Sequence, residues 1–438
     1  MQTLETGAAS VLLPAIITSF IGYAVYTIIY NVYFHPLAKF PGPLLAATST
    51  YWKAYVECVA NRSFCHELVN LHARYGDVVR VGPNELHFAS PKAYHDIYNN
   101  KNRWDKEARL YKSFGEDRSS FGFLTYTEAK VLDAPGFTAP IVVAMDASLP
   151  VFIRFKYSEL YKNMIMHCPP RLSRILSPAT AGLVDLQQLL KQQIDDLTDD
   201  PEKLKQLPHN LTIYHRLMDP EAFRDKTVPS AGSLYEEGQA LMFGGADTVG
   251  NTLMVGTHHL LQRPEVLQAL KIELLTAWPI LSKEPKLREL ESLPYLNAVI
   301  KESLRMSSGV VSGLLRVVPS SGATINGIVV PADTIVSCGS TFVHYNAVIF
   351  PEPNVFKPER WLESTELENW LVAFSRGPRM CLGMNLAWAE LRLALAHTIR
   401  KFHLSLQEPM PDQLLFRDTF LPFFYGKHLQ VNVQSVDA

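Results

Sequence analysis

The run Phe374-Ser375-Arg376-Gly377-Pro378-Arg379-Met380-Cys381-Leu382-Gly383 sets one cysteine between glycines, two residues after an arginine and just ahead of a helical segment, Asn385 to Phe402. A sulfur that ligates a metal must stay deprotonated, and nearby cations with backbone N–H groups at a helix N-terminus favour the thiolate. Gly377 and Gly383 would let the backbone run close to a flat cofactor where a β-carbon would collide. Arg379 offers a fork of donors to a carboxylate on such a cofactor. Cys381 is therefore the metal-ligand candidate. A second group, Gly244-Gly245-Ala246-Asp247-Thr248-Val249, falls inside a long helical pattern, where each glycine costs about 1 kcal/mol relative to alanine. Local chemistry leaves two readings open there. One is a kinked, closely packed helix with Thr248 bonded to its own backbone; the other is a functional groove. Finally, Glu302 and Arg305 stand three apart on one helical face, where they can pair. Taken alone, such a pair reads as an exposed one worth little.

These groups need a scaffold, and the hydrophobic pattern supplies one. Helical spacing runs from Ser233 to Arg263 and from Glu265 to Trp278, with Pro264 marking the break. Two short strand-like runs in VVRVGPNELHFA, after Tyr75-Gly76-Asp77, are split by a turn at Gly82-Pro83-Asn84 and predict a hairpin. TINGIVVPADTIVSCG again reads as short strands and turns. The expected fold is mainly α with a minor β-sheet, as one large domain over residues 48–438 without repeats.

Composition bounds the partners. The 438 residues are 47% hydrophobic, and 41 basic residues balance 43 acidic ones, so nucleic acid is not an expected partner. The five cysteines, Cys58, Cys65, Cys168, Cys338 and Cys381, are odd in number and form no CxxC pair, which points to a reducing compartment. From Thr6 to Phe34 there is no charged residue. That stretch exceeds the h-region of a signal peptide and is long enough to span a bilayer, so residues 1–34 are expected to be a membrane anchor. Lys39, Lys53 and Arg62 follow it, and the positive-inside tendency then leaves the bulk of the chain in the cytosol. The Pro-rich segment 35–47 reads as a stiff hinge or an ordinary linker.

The run from Phe374 to Gly383 resembles the cytochrome P450 haem loop, Phe-x-x-Gly-x-Arg-x-Cys-x-Gly, at Phe374, Gly377, Arg379, Cys381 and Gly383. The resemblance implies a cytochrome P450 fold behind a transmembrane helix, with haem b held by the Cys381 thiolate. It implies that Glu302 and Arg305 form the family's Glu-x-x-Arg pair, completed by Arg360 of Phe356-Lys357-Pro358-Glu359-Arg360-Trp361 in a buried, structural charge network behind the haem loop. Asp247 and Thr248 become the proton-delivery pair, and Arg316 of Leu314-Leu315-Arg316 a haem propionate contact. Thiolate ligation favours cleavage of the O–O bond. The implied reaction inserts one oxygen atom from O2 into a lipophilic substrate, with electrons from a separate NADPH-dependent reductase in the endoplasmic reticulum membrane. The anchor, the Pro-rich segment and His344-Tyr345-Asn346 look most like fungal microsomal members similar to trichodiene oxygenase, which oxidise secondary metabolites, often terpenoids. Two other functions remain: a haem-thiolate isomerase or dehydratase, and an inactive membrane-tethered remnant.

One stretch departs from the family. Between Lys130 and Ser148 the family continues into a basic helix that contacts the haem propionates, whereas residues 131–150 read VLDAPGFTAPIVVAMDASLP, with Pro135, Gly136, Pro140 and Pro150 and no basic residue. Those prolines oppose such a helix. The chain is therefore expected to be shortened there, by coding sequence lost near Lys130 or by a true deletion. Trp104 and Arg109 do not match the family's spacing and take no role.

Overall fold

The computed structural model describes residues 2–102, 104–112, 153–169, 171–172, 175, 181–206, 213–222, 226–407 and 409–436. The Pro-rich stretch 131–150 lies outside them. The chain divides into two compact units, Met1–Ile97 with Leu314–Cys338, and Tyr98–Gly313 with Gly339–Ala438. Helices dominate and the sheets are small, in keeping with the expected fold class.

The first unit begins with helix α1 (Gln2–Ile29), a turn at Tyr30–Phe34, and the short helices α2 (Leu44–Thr48) and α3 (Tyr51–Ala54). The segment Ala15–Phe34 is long and apolar enough to cross a membrane by length and composition. Strands β1 (Val78–Gly82) and β2 (Glu85–Phe88) form the expected antiparallel hairpin, with Val78 opposite Phe88. The unit's second segment adds β3 (Arg316–Val317), the hairpin β4 (Ala323–Ile325) with β5 (Ile328–Val330), and β6 (Ile335–Ser337). The four-stranded sheet runs β1-β2-β6-β3, with β6 parallel to β2 and antiparallel to β3.

Arg80 on β1 gathers the residues that follow α1. Its backbone N–H donates to Pro41 O at 2.7 Å, and its guanidinium donates to Asn31 O at 2.8 Å and Pro83 O at 2.6 Å. A β-carbon at Gly42 would come within 2.3 Å of the Arg80 carbonyl oxygen, so only glycine lets the two backbones touch. Leu37 is fully buried. The Pro-rich segment is thus held against β1 over these residues.

The second unit is built on four helices: α4 (Ala231–Gln262), α5 (Pro264–Ala277), α6 (Pro294–Ser307) and α7 (Met384–Lys401). Pro264 opens α5 at its first turn, where its missing N–H costs nothing, so the expected break falls where the ring places it. The apolar stripes of the four helices meet in one core around Leu260, Leu270, Leu296, Leu304 and Leu395, with Phe356 entering from a loop. Two further hairpin-like pairs complete the unit, β7 (Phe402–Leu406) with β10 (Val431–Ser435) and β8 (Phe416–Thr419) with β9 (Leu421–Phe424).

Candidate active site

Cys381 sits between a single 3-10 turn, Gly377–Arg379, and the N-terminus of α7. Its backbone N–H donates to Phe374 O at 2.9 Å, and the Met380 N–H closes the turn on Gly377 O at 3.1 Å. The Gly383 N–H points at the cysteine sulfur and favours its charged form, while burial pushes the thiol pKa up by more. A bound metal ion would offset that cost by holding the sulfur as its thiolate. Gly377 adopts φ +81°, and a β-carbon there would come within 2.7 Å of Asn99 O. Its backbone clearance is thus used against Asn99, not only against a cofactor. Phe374 packs on the helix core with its ring 6.3 Å from Trp388. Around the sulfur the surface is open: Cys381, Arg379, Met380 and Leu382 are all exposed.

The loop is braced from behind by a charge network that is fully buried, in place of the exposed pair that local spacing suggested. Arg305 grips Glu302 with two hydrogen bonds, Nε to Oε2 at 2.9 Å and Nη2 to Oε1 at 2.8 Å. Arg360 Nε donates to Glu302 Oε1 at 3.2 Å. Two further donors complete the carboxylate, Trp361 Nε1 and the Lys357 N–H, each at 2.9 Å. Arg305 spends its other nitrogen on the carbonyls of His344 and Pro353, at 2.9 and 2.7 Å. The His344 ring then accepts the Val372 N–H on Nε2 at 2.9 Å, two residues before Phe374. A continuous chain of bonds therefore runs from Glu302 to the cysteine loop. His344 and Trp361 were missed as members of this network. Both lie in or beside the segments that carried the resemblance, but nothing local marks a histidine as a backbone acceptor.

This arrangement sets a pH dependence. Burial, helped by the Arg305 charge, pushes the His344 pKa down to about 3, and burial takes His259, stacked on Phe356, down to about 4. Both rings are neutral in the folded protein, while an unfolded histidine takes up a proton near pH 6.5. Stability is therefore full above pH 6.5 and falls as pH drops towards the folded values, by about 1.4 kcal/mol per unit for each ring. Urea unfolding between pH 7 and 4.5 is expected to show this decline, and His344→Asn to make it shallower whatever its effect at pH 7. An unaltered slope would mean that His344 is protonated in the native state.

Asp247 and Thr248 lie on α4, partly exposed, directly after a window in which Gly244, Gly245 and Ala246 are exposed, although Ala240 and Leu241, earlier on the helix, are buried. A β-carbon at Gly244 or Gly250 would meet no atom within 4 Å. The Thr248 hydroxyl donates to Gly244 O at 2.8 Å, the local bond that the helix alone would favour. One turn on, Thr252 donates to Thr248 O at 2.9 Å and meets Ser307 Oγ on α6 at 3.0 Å, so this turn is tied to the helix that carries Glu302 and Arg305. Val249, Phe374 and Trp388 pack on the same core, which brings the turn of Asp247 and the cysteine loop to the border of one cluster. Arg316 belongs to the first unit, buried on β3, with Nη1 donating to Leu315 O at 3.0 Å.

These residues fit a haem. Among the described residues no three His, Cys, Asp or Glu side chains gather to hold a metal ion. The exposed sulfur, the apolar Met380 and Leu382, the open glycine window on α4 and the exposed Arg379 suit a flat, apolar macrocycle with carboxylate arms.

Comparison with known proteins agrees. The family model for cytochrome P450 matches residues 151–421. The chain is 28% identical to the cytochrome P450 monooxygenase flvC of Aspergillus flavus, over 98% of this chain and 97% of that protein. It is 28% identical to the cytochrome P450 monooxygenase macH of Penicillium terrestre, over 96% and 97%, and 29% identical to the conidiogenone synthase PchP450 of Penicillium rubens, over 95% and 98%. The alignment with flvC extends over 533 residues, more than the 438 of this chain, so the relative carries residues inside the matched span that have no counterpart here. An internal shortening is what the prolines after Lys130 led us to expect. With the sulfur loop, its buried brace and the family match in agreement, the chain belongs to the cytochrome P450 family of haem-thiolate oxidoreductases.

Proposed function

We propose that this chain is a haem-thiolate monooxygenase of fungal secondary metabolism, inserting one oxygen atom from O2 into a lipophilic substrate, with a terpenoid as the favoured class. The observation that carries the reading is the cysteine loop, with the Gly383 N–H on an exposed sulfur, bordering the same core as the open turn of Asp247 and Thr248. The terpenoid class is supported by the likeness to conidiogenone synthase. When bound, thiolate-ligated haem supplies the O–O bond cleavage that the reaction needs.

The protein's own part is to hold and move groups. Cys381 is the iron ligand, Phe374, Gly377 and Gly383 shape its loop, and Arg379 and Arg316 are assigned to the propionates. Glu302, Arg305 and Arg360 brace the loop without touching substrate. Asp247 passes protons inward from solvent, and the Thr248 hydroxyl, on leaving Gly244 O, donates into the open window. Electrons come from a separate NADPH-dependent reductase. The anchor, residues 1–34, and the Pro-rich segment 35–47 hold the catalytic part, residues 48–438, on the cytosolic face of the endoplasmic reticulum.

The test is turnover of terpenoid candidates by membranes carrying the full chain, with 18O2 as tracer. Product labelled with one oxygen atom, formed only with NADPH and reductase, is expected. Unlabelled product formed without NADPH would instead identify an isomerase or dehydratase. Asp247→Asn and Thr248→Val are each expected to lower product formation by about 10²-fold while NADPH consumption continues, with Thr248→Ser close to the parent. Product and NADPH consumption falling in equal measure would remove both residues from proton delivery.

A further inference from the structure

Helices α4 and α6 meet at two points that lie one turn apart on each helix. A β-carbon at Gly256 of α4 would come within 2.3 Å of Ser303 Oγ on α6, so this glycine is what lets the two helices close on each other. One turn earlier on α4 and one turn later on α6, Thr252 meets Ser307, with 3.0 Å between the hydroxyl oxygens. Gly256 with Ser303 and Thr252 with Ser307 define a single antiparallel register. All three hydroxyl residues are buried, Thr252 at 1% exposure.

The direction of the bonds follows from what each group can donate. A carbonyl only accepts, so the Thr252 hydroxyl gives its single proton to Thr248 O at 2.9 Å. Its oxygen is then the acceptor for Ser307, whose other acceptor, Leu304 O, is farther away at 3.4 Å. The hydroxyls thus form a one-way chain from Ser307 through Thr252 to the Thr248 carbonyl. One turn earlier the Thr248 hydroxyl repeats the pattern on Gly244 O. Helical threonine divides between two χ1 rotamers, because its hydroxyl can bond back to the preceding turn. Leaving Gly244 O therefore takes rotation about one bond, provided that the backbone at Thr248 stays in place. The buried chain from α6 holds that backbone by its carbonyl. We infer that Thr252 and Ser307 are positioning residues for proton delivery, fixing the Thr248 peptide so that its hydroxyl turns into the open window without the helix following. Both act through Thr248 and not on substrate. This rests on the proton-delivery reading of Asp247 and Thr248.

Two measurements on the full chain in membranes test this. The first needs no substrate: amide deuterium exchange over residues 244–252 is expected to be several-fold faster in Thr252→Val, which keeps the side chain's shape and removes its hydroxyl, and in Ser307→Ala. Combining the two changes is expected to add little, since either one breaks the same chain. The second measures hydrogen peroxide released per NADPH oxidised, with reductase and the terpenoid that the parent oxidises in the 18O2 assay. That ratio is expected to rise several-fold in Thr252→Val, as in Thr248→Val, and to be recovered by Thr252→Ser. Parental exchange in Thr252→Val, or effects of the two changes that simply add, overturns the hydroxyl chain. A parental ratio in Thr252→Val beside a raised one in Thr248→Val overturns the positioning role and leaves proton delivery standing, even where the urea midpoint of Thr252→Val has dropped. A parental ratio in Thr248→Val overturns proton delivery and the positioning role together.

Discussion

Cys381→Ala is expected to abolish the thiolate-type carbon monoxide difference spectrum of the reduced, membrane-expressed protein, and all turnover with it. The backbone bond from the Cys381 N–H to Phe374 O survives this change, as does the turn at Gly377, so the loop keeps its shape while losing its thiol. Serine in its place tests the same point, because its hydroxyl fits the space but is far harder to deprotonate. The parent chain is the control that matters. A thiolate spectrum there, lost in both variants, establishes the ligand and the ability of the shortened chain to hold haem. Absence of that spectrum from the parent under iron-sufficient expression would mean a remnant that does not retain haem, and would sink the monooxygenase reading.

Glu302→Gln is expected to be the most damaging change outside the cysteine loop, at about 3–5 kcal/mol. Glu302 is completely buried and takes hydrogen bonds from Arg305, Arg360, Trp361 and the Lys357 backbone. Glutamine preserves the volume but leaves the Arg305 and Arg360 guanidinium groups inside the protein without a counter-charge, and its NH2 faces donors where acceptors are needed. A charge stranded in low dielectric costs much more than the pair gained by forming. Arg360→Lys keeps the charge and loses the planar fork, so a smaller loss is expected. Urea midpoints and the fraction of protein purified with haem measure both variants. A Glu302→Gln midpoint equal to the parent's would show that the network does not hold the fold.

What the chain discloses before folding follows from how local each signal is. The break at Pro264 and the hairpin around Gly82-Pro83-Asn84 were legible because a ring and a turn act over a few residues. The Cys381 loop was legible because a family motif packs its needs into ten positions. Local spacing did not show the burial of Glu302, since Glu302 and Arg305 are spaced alike on a surface helix; the family resemblance implied it, and the approach of Arg360 and Trp361, 58 and 59 residues away, makes it a core site. His344 was hidden for the same reason, its partners being the Arg305 side chain and the Val372 backbone. The Pro-rich segment carried no sign of its docking, because Arg80, which holds it, lies on β1, beyond the helices that follow the segment.

The sheet of the first unit also has a consequence in time. Asn84, at the tip of the β1–β2 hairpin, bonds across 249 residues to Asp333 O, and β6 pairs with β2 from the same distant segment. At ribosomal speeds of about 5–20 residues per second, β2 waits roughly 12–50 s for its partner. On the anchor reading α1 has already entered the membrane by then, so an open strand edge stands at the bilayer surface throughout. Chaperone demand and misassembly during synthesis should concentrate in that interval, before residue 338 leaves the ribosome.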